Sequence, residues 1–334
     1  MSNNTIAIFP ASGGIGGSTY RHLLNLVDAK NVILVARSPA KIPAKYTDAG
    51  AVARHGDYDK LESLDHAFDG ARYLNLISYA SIEHEYRFKV SNRDLRRAKN
   101  IILTHYLQVQ KYAIDAAIRS GIKHIFYSSL GFAGTTPDSL AFVMQAHLDT
   151  ENYLAQLAAE NSSFTYTVVR QGLYTESYGL YLAFLDLKNP PDELKIPDNG
   201  DGAGISWVKR DELGEGTAHL LAAYAEDPAG FPYVNDKLLL SGPRGLSLKD
   251  SVDAIGRVVG KEVKIRQCSV EEWAAQDSVK GASEYLAGDM AERWATVYDA
   301  LRRGEGGVVT DHLRRLIGRG PESFEATIEG MAKA

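Results

Sequence analysis

Along the first half of the chain, short apolar runs alternate with stretches whose apolar positions recur at helical spacing. Thr5–Phe9, Asn31–Ala36, Ala51–Arg54, Arg72–Ile77, Ile122–Ser128 and Thr165–Arg170 each read as a strand buried on both sides. Between them lie a helix over Ile15–Val27, a short helix from Pro39, and helices over Lys60–Phe68 and Leu107–Arg119. Near-continuous hydrophobic strands alternating with helices predict an α/β fold, a doubly wound parallel sheet of Rossmann type with helices on both faces. Ligands of such sheets bind beyond the carboxyl ends of the strands, where the strand order reverses.

Past residue 175 the alternation loosens. Pro190, Pro191, Pro197, Gly200, Gly202 and Gly204 mark a long irregular loop, followed by a helix over Asp211–Ala225, a strand over Lys237–Ser241, a helix over Leu248–Val259 and a strand over Glu262–Gln267. Two parts are expected: residues 1–175 as the nucleotide-binding sheet domain, and residues 176–334 as a smaller substrate-binding portion interleaved with it. Residues 80–103 form an insertion near the site, rich in cations (Arg87, Lys89, Arg93, Arg96, Arg97, Lys99). It reads as a solvated helical excursion or, alternatively, as a lid or wall facing an acidic substrate.

Composition narrows the function classes. The 334 residues carry 37 Lys and Arg against 42 Asp and Glu, a net charge of -5, which gives no basic excess for nucleic acid. One cysteine, Cys268, excludes an internal disulfide and a cysteine-rich zinc site, and no metal site is expected. No apolar run reaches membrane-spanning length. A reducing, soluble compartment is expected, most simply the cytosol, with a small-molecule substrate and a monomer or homodimer as the working form.

The chemistry concentrates in Ile6–Gly17, IAIFPASGGIGG. A strand that ends in a glycine-rich turn and opens a helix aims backbone N–H groups and the positive helix end at one spot, which suits a pyrophosphate. Pro10, Ser12, Gly13, Gly14, Ile15 and Gly16 are the candidates there. At the end of the second strand, where NAD binders carry Asp or Glu, stand Ala36, Arg37 and Ser38, with Lys41 close by. A guanidinium suits a 2′-phosphate and a carboxylate repels it, so NADP(H) is the expected cofactor.

Pro10-Ala-Ser-Gly-Gly-Ile-Gly16, Val35-Ala-Arg-Ser-Pro-Ala-Lys41, Tyr127-Ser-Ser-Leu130, Ala146-His-Leu-Asp-Thr-Glu151 and Val168-Val-Arg-Gln-Gly-Leu-Tyr-Thr-Glu-Ser-Tyr178 occur in this order. Together they resemble the NmrA-like group of atypical short-chain dehydrogenase/reductases, nearest to its NADPH-dependent quinone reductases and triphenylmethane reductases. Pro10 stands where that pattern has its first glycine; it supplies no N–H to a phosphate. The resemblance implies Asp57 and Tyr58 beside the adenine, and Ser78 and Tyr79 beside the ribose or nicotinamide. It also brings Ser128, Ser129 and Leu173 to the nicotinamide end, and Phe132 and Gln171 to the pocket wall. His147 falls where those reductases hold histidine, so His147, Ser129 and Tyr174 are the catalytic candidates. Tyr174, Tyr178 and Tyr181, at i, i+4 and i+7, share one face of a helix and read as core packing or as a stack for a flat substrate.

The Tyr-x-x-x-Lys pair of ordinary short-chain dehydrogenases is missing. Its one match, Tyr233 and Lys237, lies in a turn that enters a strand. A plain ketone needs a proton as hydride arrives, whereas a quinone, enone or iminium spreads or neutralises the added charge. The expected function is hydride transfer from NADPH to such an acceptor, in a tailoring step of secondary metabolism in one version. The alternative is a non-catalytic dinucleotide sensor.

Overall fold

A computed structural model describes residues 4–79, 109–282 and 290–334. The six apolar runs become β1 (Ile6–Phe9), β2 (Val32–Ala36), β3 (Val52–His55), β4 (Tyr73–Ile77), β5 (His124–Leu130) and β6 (Thr165–Gln171). With β8 (Asp236–Leu240) they form one seven-stranded sheet in the order β3-β2-β1-β4-β5-β6-β8. Every neighbouring pair is parallel. The chain leaves β1 in one direction and returns from β4 in the other, so the switch point lies between these two strands, at their carboxyl ends.

The continuous hydrophobicity of the central strands follows from their burial on both faces. Ile6 and Ile8 join Val32 and Leu34 in one core, whereas Ala7 and Phe9 join Ile33 and Val35 in another. Each of the larger side chains among them contributes about 1.5–3 kcal/mol on leaving water. A third core gathers Trp207, Trp273, Trp294 and Tyr298 with Phe132, Met144 and Leu148. The C-terminal part therefore packs against the segment that follows β5.

Two features knit the halves together. β8 extends the sheet beyond β6, and the Arg210–Glu226 helix lies against the Gly14–Leu23 helix. Asp211 accepts from Ser18 Oγ at 2.6 Å and from Arg21 at 3.1 Å, and a Cβ on Gly214 would come within 2.2 Å of Ser18 Oγ. The glycine turn is thus braced from the C-terminal part. The Leu248–Val259 helix keeps its expected bounds because Ser247 and Asp250 form a capping box and Gly260 closes it at φ +70°.

Some elements depart from the sequence pattern. The first helix ends at Leu23 rather than Val27, its last residues continuing as turns with Leu26 exposed. Over Lys60–Phe68 only Leu61–Leu64 is helical, and as a 3-10 turn. The buried Leu64 and the half-buried Leu61 are three apart, which suits that tighter winding. The irregular loop after Pro190 contains β7 (Glu193–Ile196), paired in parallel with β9 (Lys264–Gln267). Of the Leu107–Arg119 helix, residues 109–119 are described; the 80–103 insertion lies outside the described residues. Among the described residues no helix is long and apolar enough to cross a membrane.

Candidate active site

The turn after β1 is shaped for an anion. Gly13, at φ +71°, caps the first helix without a side-chain hydrogen bond, and Gly14 stands at φ +41°. The helical ladder begins with Gly17 N–H on Gly13 C=O at 2.8 Å. The N–H groups of Gly14, Ile15 and Gly16 are therefore the open donors of the first turn. Pro10 has no N–H to add, and that of Ala11 is used on Val35 C=O at 2.7 Å. A Cβ on Gly16 would stand 2.0 Å from the Pro10 carbonyl oxygen. Gly16→Ala is expected to displace the turn, cost about 1–3 kcal/mol and weaken dinucleotide binding at least tenfold. Calorimetry beside thermal unfolding checks this, and wild-type affinity in the variant refutes it.

These residues open onto a cleft of about 640 Å³ along the carboxyl ends of the strands. Its wall combines Pro10, Ser12, Gly13, Gly14, Ile15 and Gly16 with Arg37, Asp57 and Tyr58, and then Ser78 and Tyr79 after β4. The far end is built from Phe132, His147, Leu173, Tyr174 and Tyr181. A helix N-terminus at one place and an arginine beyond β2 at another fit a dinucleotide with an additional phosphate. Arg37 is half exposed, and among the described residues its ion-pair contact is a long 4.0 Å approach to Asp59.

Five candidates lie off this wall. Lys41 is exposed outside it, and Ser128 is buried within β5. Ser129 Oγ donates to Glu151 at 2.7 Å behind the cleft. Gln171 Nε2 donates to Thr217 at 3.1 Å beneath the Arg210–Glu226 helix. Tyr178 donates its hydroxyl to Leu185 C=O at 3.0 Å. The residues Thr175–Leu180 form a 3-10 helix, so the tyrosines do not share one α-helical face: Tyr174 and Tyr181 reach the cleft and Tyr178 does not.

Sequence reading missed Gly56, Val143, Leu180, Arg210 and Trp294 on the wall. Arg210 sits one residue before the helix expected from Asp211, and its place at a helix start was the available signal. Trp294 had none, because it reaches the cleft only through the packing of the Met290–Arg302 helix.

His147 lies in the Phe142–Glu160 helix, buried, with Nδ1 3.1 Å from the Tyr127 hydroxyl. Burial pushes its pKa down to about 4; the Arg170 charge acts in the same direction, against the attraction of Glu151. At neutral pH it is an uncharged imidazole. Burial also raises the Tyr174 hydroxyl to about 12 and carries Tyr181 higher still. Both present neutral hydroxyls. The Tyr181 ring lies 5.8 Å from Trp294, 5.6 Å from Trp207 and 6.2 Å from Phe132, so it serves the core and the wall at once.

A parallel sheet of this order, with an uncapped glycine turn at its switch point, defines a Rossmann-type dinucleotide-binding scaffold. More narrowly, the chain belongs to the NmrA-like family, whose model matches residues 2–293. It is 25% identical over 313 residues to the NmrA-like family domain-containing oxidoreductase flvB of Aspergillus flavus, covering 93% of this chain and 89% of the relative. Quinone oxidoreductase 2 of Escherichia coli is 26% identical over 319 residues, covering 94% and 93% respectively. Triphenylmethane reductase of Citrobacter sp., solved in complex with NADP(H), superposes with a TM-score of 0.71 at 25% identity, over 98% of this chain and 99% of that one.

Proposed function

We propose that this protein is an NADP(H)-dependent oxidoreductase, an atypical short-chain dehydrogenase/reductase that passes hydride to a conjugated small molecule of quinone, enone or iminium type. One observation carries the reading. A single cleft joins the open first-turn N–H groups and Arg37 at one end to an aromatic chamber at the other that, among the described residues, holds no charged acid. Oxidoreductase relatives matched over most of their length, one of them a quinone oxidoreductase, support it.

The bound cofactor would supply the hydride. The chain's part is to hold and orient. The N–H groups of Gly14 to Gly16 would hold the diphosphate, and Arg37 would hold the 2′-phosphate. Leu173 and Tyr174 would border the nicotinamide end, and Phe132 and Tyr181 would keep the acceptor flat and dry. His147 and Tyr174, both uncharged, can donate hydrogen bonds to an acceptor oxygen as charge builds there. Neither is a strong acid, which matches an acceptor that delocalises its charge. The sensor reading leaves the aromatic chamber without a task.

Titration of NADPH and NADH into Arg37→Ala tests the proposal. NADPH affinity is expected to fall tenfold or more, with NADH affinity unchanged, because only the 2′-phosphate contact is removed. Unchanged binding of both refutes it. A panel of quinones, enones and iminium ions, read by NADPH oxidation, decides between reductase and sensor.

His147→Gln is expected to lower kcat severalfold with no change in the shape of the pH profile from 6 to 9. With its pKa near 4 the imidazole does not titrate in that window. A wild-type profile with a limb near 6.5 that vanishes in the variant overturns this assignment.

A further inference from the structure

Arg210 opens the Arg210–Glu226 helix and is part of the cleft wall. Its guanidinium lies over the ring of Tyr174, 6.0 Å from the centroid. Other cations of the fold are committed to carboxylates. Arg170 is paired with Glu151, Arg302 with Asp198, Arg319 with Glu212 and Glu215, and Lys209 with Glu322. Among the described residues, no carboxylate comes within ion-pair distance of the Arg210 guanidinium. The nearby Glu176 instead uses both oxygens on the Arg210 backbone N–H, at 3.2 and 3.1 Å.

The helix start is also fixed. Asp211, the next residue, is held by Ser18 and Arg21 of the first helix. The guanidinium is therefore placed by its backbone on one side and by the Tyr174 ring on the other. Tyr174, Ser177, Leu180, Tyr181 and Trp294 line the same cleft, and the Glu176 carboxylate on the Arg210 backbone N–H is a negative charge that partly offsets the guanidinium. Among the described residues the other charged groups on the wall are Arg37 and Asp57, which stand after β2 and β3.

We infer that Arg210 is the specificity-determining residue of the acceptor end, receiving a carboxylate or similar oxyanion carried by an aromatic acceptor. This rests on the proposed reductase function and narrows it, since the same charge disfavours cationic acceptors. The planar fork bonds an oxyanion in two places while its face stays on Tyr174, a geometry that lysine does not reproduce.

The test uses the full-length protein saturated with NADP+, titrated calorimetrically with 2-naphthoate and with its neutral isostere 2-naphthamide. Wild type is expected to bind the naphthoate about tenfold to a hundredfold more tightly than the amide. Arg210→Met abolishes that preference with less than a threefold change for the amide; Arg210→Lys keeps part of it. Equal affinity for the two probes in wild type, or binding of neither, overturns the inference. So does an Arg210→Met variant that weakens NADP+ tenfold and leaves the preference intact, for then the arginine faces the cofactor diphosphate. Reduction of a neutral methylated naphthoquinone by NADPH is measured in parallel. If it fails while the naphthoate preference holds, the reductase reading falls and the anion site stands.

Discussion

Replacing Glu151 by alanine is expected to cost the fold about 3–5 kcal/mol, the loss typical when one partner of a buried ion pair is removed. Arg170, on β6, has 1% of its side chain exposed, and Glu151 7%. Arg170 Nε and Nη2 donate to the two Glu151 oxygens at 3.0 and 2.8 Å, a bidentate pair, while Nη1 donates to the carbonyls of Gly134 and Thr136 at 3.1 and 2.7 Å. Ser129 adds a further donor to Glu151. The alanine leaves a guanidinium without its counter-charge in a place water does not reach. Arg170→Met fails in the mirror sense and also strands two carbonyls. The double variant is expected to lose less than the sum of the two, because the uncompensated charge is then gone. Urea unfolding of the three proteins measures this; a loss below 1 kcal/mol in Glu151→Ala refutes it. Function should follow stability. The pair ties β6 to the helix bearing His147, one turn before Glu151, and steadies the loop that carries Phe132 to the cleft.

That pair also shows where sequence reading stops. The strands were legible because both faces of β1, β2 and β4 are buried, so hydrophobicity alone marks them. The glycine turn was legible because Gly13 and Gly14 adopt positive φ and Gly16 tolerates no Cβ, three demands that only glycine meets together. Side-chain partners across the fold were not legible. Ser129 looked like a residue of the nicotinamide end, yet its neighbour in space is Glu151, a contact that local pattern does not encode. The tyrosine stripe packs in the core, as one of its two readings had it, but Tyr178 and Tyr181 do not share a helical face. Its spacing assumed 3.6 residues per turn, and Thr175–Leu180 winds more tightly, which turns Tyr178 toward Leu185. Arg210 and Trp294 come to the cleft from the C-terminal part, and only tertiary packing brings them there.

Acidification from pH 7.5 to 5 is expected to remove on the order of 4 kcal/mol of stability through two histidines, about 2 kcal/mol from each. Burial depresses His147 to about 4 and His124 to about 3, against 6.5 in the unfolded chain. Between those limits the unfolded state binds protons that the folded state refuses. Stability is therefore complete above 6.5 and is lost as pH falls toward 4. His124 stacks on Tyr224 at 4.0 Å and bonds Thr165 and Thr167 at 2.7 and 3.1 Å. Thr167 donates to Tyr233 C=O and so accepts from Nε2–H, while Thr165 can donate to Nδ1 of the neutral ring or accept from it once protonated, so burial decides the sign. Glu212, whose carboxyl burial raises above its usual range, takes up a proton earlier in the folded state and opposes the loss at the acid end. His147→Gln is expected to lie below wild type at pH 7.5, since its contacts are imperfect, and to lose about 2 kcal/mol less on moving to pH 5. Urea midpoints at the two pH values report that difference directly. Equal acid losses in wild type, His147→Gln and His124→Gln would show that both imidazoles take up protons in the fold as they do in the unfolded chain, and would overturn the depressed values.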